Sequence, residues 1–314
     1  MKSSTYPKVT ILLATFNRAH LILETLASIA NQTYTNFECL ITDDNSSDAT
    51  EVVVNNFIKT DSRFYYFKKP KKYRQGLSAT RNFGLDLAQD RNAEYIQFFD
   101  DDDIMHPRKL ELQIGPLIEN SYLDLTICQY KKFKFVSEVN FDIKKIESKY
   151  CNIQSKNLLK SFYLNIVDLN SLGPIFRFSK IRDYRFSEDL YYAEEREFFL
   201  RVLLNEKLKH KGVEQVLFWY RKHNMSITSN LYDDVQIKPL SEKQGDKLFF
   251  NEVLKNEFAP SYILKSFIAK SYKQKEIFYR IKIKKYLFSN FRYLNLKYYH
   301  LLLFYFYKRL KHLN

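Results

Sequence analysis

The chain has 314 residues, 45% hydrophobic and 27% charged, with only six Gly and seven Pro. That is enough to bury a sizeable core, and it excludes collagen-like, low-complexity and disordered classes. Cys39, Cys128 and Cys151 form no CxxC pair and are odd in number, which argues against a disulfide framework or a zinc site and for a reducing compartment.

Residues 8–14 predict a strand; their short apolar run ends in a polar turn, unlike the apolar region of a signal peptide. A helix is predicted over 18–30, with Leu21, Thr25, Leu26 and Ile29 at helical spacing. A second strand, 37–42, runs into Asp43-Asp44-Asn45-Ser46, and Ser47-Asp48 can cap a helix through Phe57. A third strand (64–67), a helix (78–88) and a fourth strand (95–99) follow, the last ending in four aspartates, Asp100 to Asp103. Pro107 sits at a favoured first helical position. Beyond it the pattern predicts a strand over 123–130 and helices over 157–165 and 193–205. No segment reaches the roughly 18 apolar residues of a membrane-spanning helix.

Alternating strands and helices mean βαβ units, hence an α/β chain with a mostly parallel sheet covered on both faces. Such sheets bind ligands beyond the carboxyl ends of their strands. Here those ends are Thr15-Phe16-Asn17, Asp43-Asp44 and the four aspartates, three polar clusters on one edge. Four adjacent carboxylates repel one another, and a hard divalent cation such as Mg²⁺ or Mn²⁺ relieves that repulsion.

Several segments in order carry a resemblance: Thr15-Phe-Asn-Arg18, Gln32-Thr-Tyr-x-Asn36-Phe-Glu38, Asp43-Asp44-Asn45-Ser46-x-Asp48, Gly76-Leu-Ser-Ala-Thr-Arg81-Asn82, and Phe99 through Asp103 with Lys109-Leu-Glu111. In this order and spacing the chain resembles glycosyltransferase family 2, with the Rossmann-like GT-A fold, over about residues 8–230. The resemblance implies a GT-A domain over 1–230, with a nucleotide-binding half at about 1–115 and an acceptor-binding half at about 116–230. It implies that Thr15, Phe16, Asn17, Asp43, Asp44, Arg81, Asp100 and Asp101 hold the nucleotide, Arg81 near the diphosphate or the uracil side. Asp102, the second acid of the DxD pattern, would ligate Mn²⁺ or Mg²⁺ with Asp100. The family places its general base in a Glu-Asp pair opening a helix, and here the pair is Glu194-Glu195. Helical spacing puts Glu195 on a face with Phe198, Phe199 and Val202, which predicts that Glu195 is the partly desolvated, raised-pKa base. Glu197 and Arg201, four apart, read as a surface ion pair.

Trp219-Tyr-Arg221-x-His223 through Thr228 resembles the loop that follows the family's catalytic helix, which implies His223 near the metal or phosphates. The Gln-x-x-Arg-Trp motif of processive members is absent, since Trp219 follows Val216-Leu-Phe. One sugar per acceptor encounter is therefore expected.

Of the net charge of +14, residues 261–314 carry +12, from thirteen Lys or Arg against one acid, Glu276, leaving +2 for the rest. Residues 231–314 read as a basic, aromatic, helical C-terminal extension. Residues 298–307 are nearly all apolar or aromatic with basic flanks, a pattern that fits a helix lying in an anionic membrane interface. Packing on another subunit is the rival reading. No nucleic-acid partner is expected, because no recognised module accompanies the charge.

The expected function is transfer of one sugar from a nucleotide-sugar, UDP-linked, to a hydroxyl of a glycan or lipid-linked acceptor, in lipopolysaccharide or capsule biosynthesis. The enzyme would be hexosyltransferase-like and inverting, and it would work in the cytoplasm at the inner face of the membrane. A metal-dependent nucleotidyltransferase and a non-catalytic nucleotide-binding or scaffold protein of the same fold are the alternatives.

Overall fold

A computed structural model describes residues 6–142, 152–222, 237–256, 259–289 and 296–311. The chain forms two compact units, Met1–Gly245 and Asp246–Asn314. The first contains β1 (Val9–Thr15), α1 (Ile22–Ala30), β2 (Phe37–Asp43), α2 (Thr50–Ile58), β3 (Phe64–Lys68), α3 (Leu77–Asp90), β4 (Tyr95–Asp100), β5 (Ile104–Met105), α4 (Lys109–Glu119), β6 (Leu125–Phe133), α5 (Leu158–Tyr163), β7 (Pro174–Arg177), α6 (Glu194–Glu206) and β8 (His210–Arg221). Helix α7 (Ile237–Lys255) carries the chain onward into α8 (Ser261–Lys273), α9 (Ile277–Ser289) and α10 (Leu296–Lys311).

The described strands form one sheet in the order β3-β2-β1-β4-β7-β6-β8-β5. The first four are parallel, as the βαβ pattern predicts. Every residue of β1 and β2 is buried, because helices cover both faces of a parallel sheet and leave no polar side. Strand β7 enters antiparallel between β4 and β6, so β4, β6 and β8 all point the same way. Their carboxyl ends share the edge on which β1 and β2 end.

Three local expectations change. Helix α1 begins at Ile22, not Arg18, and the amides of residues 16–19 go to side chains from other loops. Phe16 N–H donates to Asp101, Asn17 to Ser46, Arg18 to Thr50 and Ala19 to Asp48. Residues 219–221 are strand rather than loop, since Trp219 pairs with Ile104 and Arg221 with Phe133. The Glu197–Arg201 pair closes at 2.8 Å, but Glu197 is buried and not on the surface; Arg201 also donates to the Arg185 carbonyl.

The Gln32 to Glu38 motif holds the fold together. Gln32 Nε2 donates to the His106 carbonyl (2.7 Å), and its Oε1 accepts the Leu110 amide (3.0 Å), which clamps the end of α1 to the start of α4. Buried Glu38 accepts from Thr10 and Arg91 and pairs with Lys8. Gln32→Ala takes the acceptor from the Leu110 amide and one of two donors from the His106 carbonyl, which still accepts the Lys109 amide at 2.9 Å. One unpaired buried backbone group costs about 1–3 kcal/mol, and urea unfolding should show a loss in that range; a loss under about 0.5 kcal/mol would mean water takes over the clamp.

Candidate nucleotide and catalytic site

The registers Thr15↔Asp43 and Ala14↔Asp100 set the three polar clusters side by side. They then interlock. The Asp44 amide donates to the Thr15 carbonyl (2.9 Å), and Asn17 Oδ1 accepts the Ser47 amide (2.8 Å). Asn17 adopts φ 53°, a left-handed conformation that Asn tolerates, and this turns the chain back toward Ser46. Phe16 keeps its ring partly exposed while its N–H reaches Asp101 Oδ2 at 3.3 Å.

Asp43 is fully buried. Its Oδ1 accepts the Ser46 amide and hydroxyl at 2.8 and 2.7 Å, and its Oδ2 accepts the Tyr66 hydroxyl. Asp44 pairs with the buried Lys69 ammonium and accepts the Gly76 amide at 2.7 Å. Gly76 adopts φ +124°, a conformation closed to side-chain-bearing residues, and so can turn that amide into the site at the start of α3. Lys69 also donates to Thr80 Oγ1 (3.0 Å) and the Arg74 carbonyl (2.6 Å). Sequence reasoning passed over Lys69 and Tyr66. Their only signal is position, at the end of the third parallel strand.

Arg81 joins the sheet edge to α6. Only 3% exposed, its Nη2 lies 2.9 Å from Asp100 Oδ1, 2.9 Å from Glu195 Oε1 and 3.1 Å from Ser171 Oγ; Nη1 lies 3.5 Å from Glu194 Oε1. Three carboxylates thus surround the guanidinium that the resemblance places near the diphosphate or the uracil side. Their charge holds the guanidinium protonated against its burial. The neighbouring Asn82 exchanges hydrogen bonds with the Phe186 backbone at 2.7 and 3.0 Å, tying α3 to the approach to α6. Glu195 further accepts Ser171 Oγ at 2.5 Å and the Ser171 amide at 3.3 Å. Ser171 lies in a stretch without a recognisable motif, so it could not be found from sequence.

Burial was expected to favour Glu195 as the raised carboxyl. The structure buries the Glu194 side chain more deeply (14% exposed against 26%). Burial and the Glu195 charge push the Glu194 carboxyl up to about 7. The order differs from the helical-face expectation because α6 starts at Glu194, where Arg81 and Asp100, not the helix's own apolar face, surround the pair.

The four aspartates diverge. Asp100 turns to Arg81, and Asp101 to the Phe16 amide and to Arg18 (3.4 Å). Asp103 accepts the Arg221 amide at 2.7 Å, and the Asp102 carbonyl accepts Arg221 Nε at 2.6 Å. Burial, then the Asp102 charge, pushes Asp101 up to about 8, while Arg18 and Thr15 pull it down. Burial and the same charge raise Asp103 well above the carboxylate range. Among the described residues no three His, Cys, Asp or Glu side chains gather into a cation cage. The donor set nonetheless suits a hard cation that completes its shell with substrate phosphates. The oxygens are carboxylates under mutual repulsion, and the buried Asp103 Oδ2 has no hydrogen-bond partner. His223, the other expected ligand, lies outside the described residues.

The sequence profile described as Glycosyl transferase family 2 matches residues 10–185, more than half of the chain. The chain belongs to glycosyl transferase family 2. The GalNAc(5)-diNAcBac-PP-undecaprenol beta-1,3-glucosyltransferase of Campylobacter jejuni is 32% identical over 188 residues, 60% of this chain. This chain spans 57% of the length of that relative. The Escherichia coli UDP-Glc:alpha-D-GlcNAc-diphosphoundecaprenol beta-1,3-glucosyltransferase WfgD is 27% identical over 266 residues, covering 83% of this chain and 92% of its own. Among solved structures, Staphylococcus aureus TarS 1–349 in complex with UDP-GlcNAc superposes with a TM-score of 0.63 at 20% identity, over 82% of this chain and 70% of TarS 1–349. That likeness establishes the GT-A fold, with a helical C-terminal extension.

Two outcomes follow from the family 2 site. Lys69→Ala leaves Asp44 buried without its cation, so unfolding should become easier by about 3–5 kcal/mol; a melting temperature equal to wild type would refute the pairing. Glu194 binds its proton more tightly folded (about 7) than unfolded (about 4.5), so its contribution to stability falls as pH rises between those values. Urea titrations in EDTA should show Glu194→Gln gaining on wild type from pH 4.5 to 7 and level above pH 8. A flat difference would contradict the raised carboxyl.

Proposed function

We propose that the chain transfers a single sugar from a UDP-sugar to a hydroxyl of a lipid-linked glycan acceptor, with inversion at the anomeric carbon, at the inner face of the membrane. The donor and acceptor classes rest on the names of the Campylobacter and Escherichia relatives. The observation that carries the chemistry is the Arg81 bridge from Asp100 to Glu195, which sets the acidic strand end and a helix-borne carboxylate on one edge.

Thr15, Phe16, Asn17, Asp43 and Asp44 line the nucleotide position. Phe16 offers a ring face for the base, and Asp43 holds the Ser46 turn and the Tyr66 hydroxyl in place behind it. Asp101 secures this wall through Phe16 and Arg18. Asp102 and Asp100, with His223, would hold Mn²⁺ or Mg²⁺, which when bound neutralises the leaving diphosphate. Glu195 takes the proton from the acceptor hydroxyl as that oxygen attacks the anomeric carbon and the bond to the diphosphate oxygen breaks. Arg81 and Ser171 hold both Glu195 oxygens as acceptors, which orients the carboxylate.

A second reading gives the base role to Glu194, whose carboxyl near 7 matches a base working at neutral pH. Kinetics on the conservative variants separate the two. Glu195→Gln should cut kcat by about 10²–10⁴-fold with little change in KM, while Glu194→Gln keeps most activity; the reverse order assigns the base to Glu194. Asp102→Ala should lower Mn²⁺-dependent UDP release by about 10²–10³-fold. Unchanged release removes Asp102 from the metal site. Pyrophosphate release in place of UDP would point to nucleotidyl transfer, and no turnover with any nucleotide-sugar to a scaffold.

A further inference from the structure

Residues 298–307 were expected to meet a membrane as one apolar segment. Within the second unit, however, Leu301, Leu302 and Tyr305 of that segment are buried, and Tyr272 of α8 meets Tyr305 with ring centroids 6.2 Å apart. Among the described side chains of that segment, these three therefore serve as core, while Leu303, Phe306 and Tyr307 are exposed. None of the described helices is long and apolar enough to cross a membrane.

A different face is left open. On α9, Tyr279, Ile283, Tyr286 and Leu287 are buried, with Tyr279 packed on Phe250 and Phe267. The opposite face presents Ile277, Ile281 and Phe288, at 61%, 63% and 51% exposure, with the exposed Lys284 and Lys285 between them. Positions 277, 281, 284, 285 and 288 fall at helical spacing and so form one stripe. Helix α9 contains no acid and four basic residues, Arg280, Lys282, Lys284 and Lys285. Three large apolar side chains in water cost free energy that a soluble helix avoids by placing polar residues there. Lysines within the stripe can extend their ammonium groups past the apolar surface to a negatively charged layer. Helix α10 repeats the arrangement, with Leu303, Phe306 and Tyr307 exposed beside Lys308 and Arg309.

We propose that the outer face of α9, Ile277–Ile281–Phe288 with Lys284 and Lys285, is the surface through which this chain binds an anionic lipid bilayer, lying in the plane of the headgroups. The charge selects the occupant. An apolar protein partner would gain nothing from thirteen bases against one acid over residues 261–314, whereas a leaflet rich in acidic phospholipid attracts each lysine near its surface. The inference deepens the reading of a lipid-linked acceptor, since it names the surface that carries such an acceptor. It is tested without sugar transfer.

Vesicle co-sedimentation of the full chain decides it, with vesicles of phosphatidylcholine alone and of phosphatidylcholine with 30% phosphatidylglycerol, a composition at about physiological surface charge. Wild type should bind the phosphatidylglycerol vesicles and detach at high salt. The triple variant Ile277→Ser, Ile281→Ser, Phe288→Ser and the charge variant Lys284→Glu, Lys285→Glu should each lower the partition coefficient at least about tenfold. All five positions are exposed, so circular dichroism and melting should match wild type. The charge variant keeps the apolar stripe and serves alone if the triple variant misfolds. Equal partitioning of wild type and the charge variant, or no binding to the acidic vesicles, overturns the proposal. So does a shift in oligomeric state by light scattering without loss of lipid binding, which would assign the face to a second copy of this chain.

Discussion

A single guanidinium, buried among three carboxylates, organises the ligand edge. Arg81 rises from α3 and is held by Asp100 from the end of β4 and by Glu194 and Glu195 from the start of α6. A charge taken out of water is costly unless the surrounding geometry repays it, and here Ser171 and the Phe186 ring complete the shell. Three elements far apart in sequence must therefore assemble before Arg81 can be buried at acceptable cost. The same bond that stabilises the edge fixes the distance between the acidic strand end and the helix carboxylates.

The cluster is deliberately unbalanced. One Arg81 faces three carboxylates, and beyond them Asp101 and Asp103 are buried with Arg18 and the Arg221 amide as compensation. The excess negative charge emerges as raised carboxyls at Asp100, Asp101, Asp103 and Glu194, each lifted first by burial and then by neighbouring acids or, for Asp100, against the pull of Arg81. An edge of this kind accepts protons or a cation readily. That property suits a site where a diphosphate leaving group must be neutralised and an acceptor proton removed.

The motifs divide by what they do. Gln32 and Glu38 bond backbone and partner side chains deep inside the first unit and have no part in the edge. Asn17, Asp43 and Asp44 shape loops whose amides are otherwise unpaired, so a motif residue can be indispensable by ordering the chain rather than by touching a ligand. Arg221 belongs to both groups. It ends β8, packs its guanidinium on Phe133 at 4.6 Å and ties the 102–103 backbone and side chain in place.

What the sequence determined by itself was the α/β alternation, a mostly parallel sheet and the polar strand ends that meet on one edge, Thr15, Asn17, Asp43, Asp44 and Asp100 to Asp103. These follow from local hydrophobic period and from the rule that polar clusters at strand ends meet on one edge, both of which are written along the chain. The tertiary structure alone decided that three carboxylates surround Arg81, that Ser171 and Lys69 join the site, that Glu194 is the more buried of its pair, and that Leu301, Leu302 and Tyr305 turn inward while α9 keeps an exposed apolar stripe. Each of these depends on which residues, distant in sequence, share a burial shell. Charge and desolvation act through space at a few ångströms, so no local spacing rule can supply them.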